Sequence, residues 1–207
     1  VCSSDLNVAL LNMMLYYIVK ENLEDKSFIE NRTEGFQAFK DQILKINLDE
    51  LEQISGVDRN LVRSAAIAYA MAPNAMSFHG LGVTEHSYGS YSVMLISDLA
   101  MITGNIGRRG VGVNPLRGQN NVQGAADMGC QPHQGAGYLD VTDPEIIHKY
   151  EQHYHAILPK QKGYKIPEMY DAALSGKLKA LWLMGEDLVQ TDPNTHHVKA
   201  ALSNLDL

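Results

Sequence analysis

Residues 103–129, TGNIGRRGVGVNPLRGQNNVQGAADMG, restrict what this chain can fold into more than any other stretch. Seven of them are glycine, and Arg117 sits beside a run of side-chain amides, Gln119, Asn120, Asn121 and Gln123. Glycine lets backbone approach another group closely and take positive φ without a Cβ clash. A guanidinium grips a planar carboxylate or a phosphate through two parallel hydrogen bonds, and amides orient polar edges. Structureless loops of this length are uncommon and usually functional. The plainer reading is a Gly-rich crossover between two domains, although a linker favours Ser, Pro and Lys over amides.

The flanks on both sides read as strand, turn and helix. Residues 7–22 are apolar almost all round, as in a helix buried on most faces. Residues 27–46 read as two short helices around Asn31-Arg32-Thr33, and residues 48–54 as another, closed by Gly56. Asp58 is a good N-cap for a helix over 59–72, with Val57 and Val62 placed as a hydrophobic staple and Pro73 as the stop. Residues 75–79 (AMSFH) are short and apolar, which predicts a buried strand. Gly80-Leu81-Gly82 then turns the chain towards a helix over 88–103, ended by Gly104. Beyond the Gly-rich loop, Asp143-Pro144 is an N-cap and N1 pair for a helix to His153, and Asp192-Pro193 repeats the device. Ile166, Tyr170, Ala173 and Leu174 make one helical face, stopped by Gly176. Residues 179–184 (KALWLM) predict a second buried strand, ending at Gly185-Glu186-Asp187 before a helix over 193–204. Strands alternating with helices predict an α/β chain with parallel sheets, in parts of two layered domains joined by the loop. Ligands in such sheets sit at the carboxyl ends of strands. That rule puts residues 80–85 and 185–191 on ligand-facing edges.

Strand, Gly-x-Gly, helix is the geometry that aims backbone N–H groups at a phosphate. The full GxGxxG pattern fails, because Glu85 holds the third glycine's place, and no Walker lysine follows. At the second turn, Glu186 and Asp187 can accept from ribose hydroxyls or a guanine edge, or can simply favour a helix N-terminus. The eight histidines show no metal-ligand spacing, and the nine methionines read as core packing. Arg108 and Arg109 could touch phosphates or sit as an exposed pair in a turn.

The chain has 207 residues, 45% hydrophobic and 20% charged, which is enough for a sizeable core. A net charge of −7 argues against a nucleic-acid partner. The longest apolar run, residues 8–19, is too short to span a bilayer. Cys2 and Cys130, the two cysteines, make neither an iron–sulfur nor a zinc site by themselves, nor a disulfide framework.

The block NPLRGQNNVQGAADMG, with TGNIG before it and MGED after it, resembles the catalytic subunit of molybdenum- or tungsten-dependent formate dehydrogenases. These belong to the large molybdopterin oxidoreductase family, and the likeness runs from about Asn7 onward. The resemblance implies a bis-molybdopterin guanine dinucleotide cofactor carrying Mo or W, and formate and carbon dioxide as substrate and product. It implies that Arg117 holds the formate carboxylate, while Gln119 and Asn120 orient pterin or substrate. Gly80, Gly82 and Glu85 match the segment at one guanine dinucleotide arm, where glutamine commonly stands in the place of Glu85. A carboxylate there is repelled by pyrophosphate unless protonated or turned away. Gly185, Glu186, Asp187 and Thr191 match the turn at the other arm, where Leu188 replaces the usual proline. Ala126 stands where the family often has cysteine.

The resemblance also implies that the cysteine or selenocysteine metal ligand and an iron–sulfur cluster lie outside this sequence, towards a missing N-terminal part. Electron-transfer subunits of iron–sulfur, NAD-linked or hydrogenase type are the implied partners, and the location expected is cytoplasmic. Other readings are another molybdopterin oxidoreductase such as a nitrate reductase, which RGQNN disfavours, or a non-catalytic nucleotide-binding scaffold, which would not need Arg117. Residues 1–6 (VCSSDL) match a translated sequencing adapter and are expected to be a cloning scar. Residues 7–118 are then expected to be the last part of one α/β cofactor-binding domain, and 119–207 the first part of the next. On this expectation the chain is an internal piece, inactive by itself.

Overall fold

The structure is a computed structural model and describes residues 5–207. Residues 1–4 of the expected scar lie outside the described residues; Leu6 is half-buried in the first helix. The chain divides into two compact units, one running through Asn120 and the other from Asn121 on.

In the first unit, helix α1 (Asp5–Lys20) is the hub, packed by α3 (Phe36–Ile43), α4 (Leu48–Ser55), α5 (Arg59–Met71) and α7 (Gly89–Ile102), while α2 (Lys26–Arg32) packs against α7. Its Met13, Leu15, Ile18 and Val19 are almost fully enclosed. Each such side chain stabilises the fold by about 1.5–3 kcal/mol. The helix ends are set locally. Asp58 accepts from the N–H groups of Asn60 and Leu61, Asn47 accepts from Asp49 and Glu50, and Gly56 closes α4 in the left-handed region.

A parallel pair of strands rests on this helical base. Strand β1 (Met76–His79) leads into the single turn α6 (Leu81–Thr84) and then α7 (Gly89–Ile102). The partner is β2 (Gly112–Pro115), in register Met76 with Gly112 through His79 with Pro115. Residues 103–129 are therefore not a structureless loop: they carry this strand and helix α8 (Val122–Asp127). β2 carries no apolar alternation, and its pairing depends on backbone groups rather than on side-chain pattern. β1 is a strand as expected, but not a buried one. Its Met76 and Phe78 face outward, and only His79 is enclosed.

Asn105 pins the start of this sheet. Its Oδ1 accepts from the Ala75 N–H at 3.1 Å and from Arg108 Nη2 at 3.1 Å, and its Nδ2 donates to Thr103 Oγ1 at 2.9 Å. Arg108 also donates to the Pro73 and Gly104 carbonyls and to Asn74. Its guanidinium joins the turn before β1 to the turn before β2.

The second unit is α8, a two-residue antiparallel pair β3 (Gln134–Gly135) and β4 (Leu139–Asp140), α9 (Pro144–Tyr154), α10 (Ile166–Leu174), α11 (Leu188–Thr191) and α12 (Thr195–Ser203). Its core joins Tyr170, Ala173, Leu188, Val198 and Ala201. Asp143 and Pro144 start α9 as expected. Asp192-Pro193 does not start α12. Asp192 closes α11 and takes the Tyr170 hydroxyl, so the capping role passes to Asn194, which accepts from the His197 N–H.

The expected strand over 179–184 also fails. Lys179 O accepts from Asp206 and Leu207, and Leu181 N–H donates to Leu207 O at 3.0 Å, but no ladder forms. Trp182 is 89% exposed and Met184 84%. A strand is stabilised by its neighbours, and among the described residues this segment's backbone bonds reach only Asp206 and Leu207.

Candidate functional site

The carboxyl ends of β1 and β2 meet where the sequence places its first set of site residues. The Leu116 N–H donates to the His79 carbonyl at 2.6 Å, extending the parallel pair by one step. Gly80 follows β1 and accepts from the N–H groups of Val83 and Thr84, closing α6 behind it. A Cβ on Gly80 would stand 3.5 Å from the Leu116 carbonyl oxygen. A Cβ on Gly118 would stand 2.8 Å from Leu81 Cδ1, a contact under which the leucine would have to move. The Gly80-Leu81-Gly82 turn and the Leu116-Arg117-Gly118 segment thus lie against each other, because both follow paired strands and glycine removes the side chains that would separate them.

Arg117 is exposed on this rim, and so are Gln119, Asn120 and Glu85. Among the described residues none of these four side chains has a hydrogen-bond or ion-pair partner. The fork of Arg117 is free to take an anion, and the amides are free to orient one. A Cβ on Gly82 would meet nothing within 4 Å, so backbone is accessible from the open side. Glu85 closes α6 with its backbone, which is a turn-forming role.

His79 is the residue that sequence reasoning passed over. It is buried at the last position of β1, and its Nδ1 has no hydrogen-bond partner. A buried polar atom of that kind is uncommon. Its place directly before Gly-x-Gly was the available signal. Arg108 is not a phosphate contact among the described residues: it is tied up in the Asn105 network.

The second set lies in the other unit and forms its own cluster. Asp187 caps α11, accepting from the Gln190 N–H and side chain, while Thr191 Oγ1 donates to Glu186 Oε1 at 2.9 Å and reaches the Asp187 carbonyl at 2.9 Å. Gly185 turns the chain at φ 71°, and a Cβ there would meet nothing within 4 Å. Leu188, at the place where the resembled family has proline, is buried in the core of this unit. Nearby, burial pushes the Tyr170 hydroxyl up to about 12, with the hydrogen bond to Asp192 and the charges of Asp192 and Glu186 adding to it. Hydrogen bonds from the Thr142 N–H and hydroxyl hold the Asp140 carboxyl below its usual range. Among the described residues no group of three His, Cys, Asp or Glu side chains is arranged to hold a metal, and no helix is long and apolar enough to cross a membrane.

Comparison with known proteins gives the family and the fold. The family model for molybdopterin oxidoreductases matches residues 3–207. The alpha subunit of the F420-dependent formate dehydrogenase of Methanocaldococcus jannaschii is 47% identical over 97% of this chain and 29% of its own length. Formate dehydrogenase H of Escherichia coli is 42% identical over 97% of this chain and 28% of its own. The chain therefore spans under a third of the length of these relatives. Among solved structures, acetylene hydratase from Pelobacter acetylenicus superposes with a TM-score of 0.63 at 18% identity, covering 98% of this chain and 30% of that one, which is a likeness of fold.

Proposed function

The chain belongs to the molybdopterin oxidoreductase family, and from that premise we propose that it is part of a formate dehydrogenase catalytic subunit. The reaction is the two-electron oxidation of formate, HCOO⁻ to CO₂ with release of one proton and two electrons, or the reverse. The carrying observation is Arg117: an exposed, unpaired guanidinium two residues past β2, beside the Gly-x-Gly turn that ends β1. The 47% and 42% identity to two formate dehydrogenases supports formate as the substrate.

The residues present suit a nucleotide-bearing cofactor. Backbone is open at Gly82 and Gly185, and an unpartnered buried nitrogen lies at His79. In this proposal the cofactor is the bis-molybdopterin guanine dinucleotide with Mo or W, held at one arm by Gly80, Gly82 and Glu85. Gly185, Glu186, Asp187 and Thr191 hold the other arm. The cofactor when bound accepts the two electrons, and the protein supplies binding, orientation and electrostatics. Arg117 grips both formate oxygens through its planar fork and leaves the C–H end free. Gln119 and Asn120 fix the polar edge of pterin or substrate beside it. Glu186 and Asp187 keep acceptor lone pairs beyond those used by Thr191 and Gln190, which suits ribose hydroxyls or a guanine amino group. The metal ligand, the iron–sulfur cluster and the electron-accepting subunits, of iron–sulfur, NAD-linked or hydrogenase type, are supplied from outside these residues. A cytoplasmic location goes with this proposal.

The test is Arg117→Lys in the complete enzyme, with metal and pterin content measured beside formate kinetics. Lysine keeps the charge and loses the fork. Hydrogen bonds to charged groups contribute about 1.5–3 kcal/mol, so kcat/KM for formate should fall by roughly ten- to a hundredfold at unchanged metal content. Loss of metal in step with activity, with turnover per metal unaltered, would make Arg117 a structural residue and defeat the proposal.

A further inference from the structure

Helix α7 is apolar on two faces, and only one of them is covered. Ser92, Ile96, Leu99 and Ala100 are buried against the unit's core. Tyr91, Met94, Leu95 and Asp98 follow the i, i+3, i+4, i+7 spacing of a second stripe, and Tyr91 and Met94 are 60% and 61% exposed. This stripe forms one wall of a cleft of about 580 Å³, whose other walls are Val8 of α1 and Leu51 and Ile54 of α4. The cleft is largely apolar, and apart from the hydroxyls of Tyr88 and Tyr91 its polar side chains are Asn12 and Asp98. Asn12 Nδ2 is already committed to the Val8 carbonyl at 2.9 Å. Asp98 is half-buried, and among the described residues it has no hydrogen-bond or ion-pair partner.

A carboxylate in apolar surroundings costs free energy unless a cation meets it. Burial alone pushes the Asp98 carboxyl above its usual range, with no charge or hydrogen bond opposing the shift. An apolar groove with one unanswered negative charge at its edge specifies its occupant: apolar side chains flanking one Lys or Arg. Interfaces this apolar belong to permanent rather than exchanging contacts. In subunits as long as the two formate dehydrogenase relatives, residues matching this chain make up 29% and 28% of the polypeptide, so most of such a subunit lies elsewhere in its sequence.

We propose that the cleft between α1, α4 and α7 is the permanent seat of an apolar segment from the remainder of the same subunit, which brings one lysine or arginine onto Asp98. The inference is independent of which substrate the subunit turns over. It is tested in the full-length subunit by placing the photo-crosslinker p-benzoylphenylalanine at position 91, where it replaces tyrosine on an exposed site. Irradiation should join residue 91 to a peptide of the same polypeptide, outside these 207 residues, that contains a lysine or arginine. Crosslinking to a separate subunit, or to none while Met94 is readily oxidised from solvent, would overturn the proposal. Asp98→Lys should lower the melting temperature of the full-length subunit, and changing the identified cation to Glu in that background should restore most of it. A double variant no more stable than Asp98→Lys would overturn the ion pair.

Discussion

Two segments of this chain carry nearly the same sequence message and have different structural fates. Residues 75–85 and residues 179–191 each read as a short apolar strand, a Gly-containing turn and a helix. The first becomes β1 with a parallel partner, and its turn is fixed against a second backbone segment. The second stays irregular, with Trp182 and Met184 in solvent and its turn held by side chains of its own helix entry. The difference lies in what each can pair with. β1 finds β2 within the same unit, with Asn105 fixing the approach, whereas among the described residues the backbone of 179–184 hydrogen-bonds only to Asp206 and Leu207. A strand is a shared structure, and local sequence can specify only one side of it.

The largest expected effect tests the open segment. With Trp182, Leu183 and Met184 exposed in a row, the isolated chain should self-associate, because an unpaired extended apolar segment is a template for another copy. Trp182→Ser with Met184→Ser should shift sedimentation profiles strongly towards monomer. A parent chain already monomeric at high concentration would break the contrast. Next comes the closed segment: Asn105→Ala removes the acceptor of the Ala75 N–H and of Arg108 in a buried place. It should cost about 2–3 kcal/mol in a denaturant melt. A near-neutral result would mean that β1 is positioned by packing alone.

A smaller effect is expected at the second turn. Gly185 sits at φ 71° and an added Cβ would meet nothing within 4 Å, so Gly185→Ala should cost only the left-handed backbone penalty, about 1–2 kcal/mol. A larger loss would show that this turn is packed as tightly as the first. The smallest effect appears only in alkali. The Tyr170 hydroxyl is raised from 10.0 to about 12 in the fold, so the unfolded chain loses its proton first. Stability should be fully present below pH 10 and decline as the pH rises towards about 12, and Tyr170→Phe should flatten that decline. An unchanged alkaline profile in the phenylalanine variant would remove Tyr170 from this role.

Much of the helical frame was legible because caps and stops are local. Asp58, Gly56 and the Asp143-Pro144 pair each act within a few residues of their own position, and each ends or starts the helix expected of it. Asp192-Pro193 misled for a tertiary reason, since the hydroxyl of Tyr170, 22 residues away in sequence, claims Asp192. In the candidate site, glycine content and Arg117 marked the 103–129 stretch, and the family follows from those residues. The strand β2 inside that stretch was not legible, because Gly112-Val113-Asn114-Pro115 has no alternating pattern and pairs through its backbone. His79 was hidden for the same reason: its burial comes from elements packed around it.

By itself, then, the sequence determined most of the longer helices, the Gly-x-Gly turn, the position of the Arg117 guanidinium and the membership of the molybdopterin oxidoreductase family. All of these rest on residue chemistry acting locally or on motif identity. Only the tertiary structure decided that β1 pairs with β2, that the two glycine turns of the first unit meet at Leu81 and Gly118, and that residues 179–184 find no ladder. Those outcomes depend on which backbone groups come within hydrogen-bonding distance, a property of chain segments far apart in sequence.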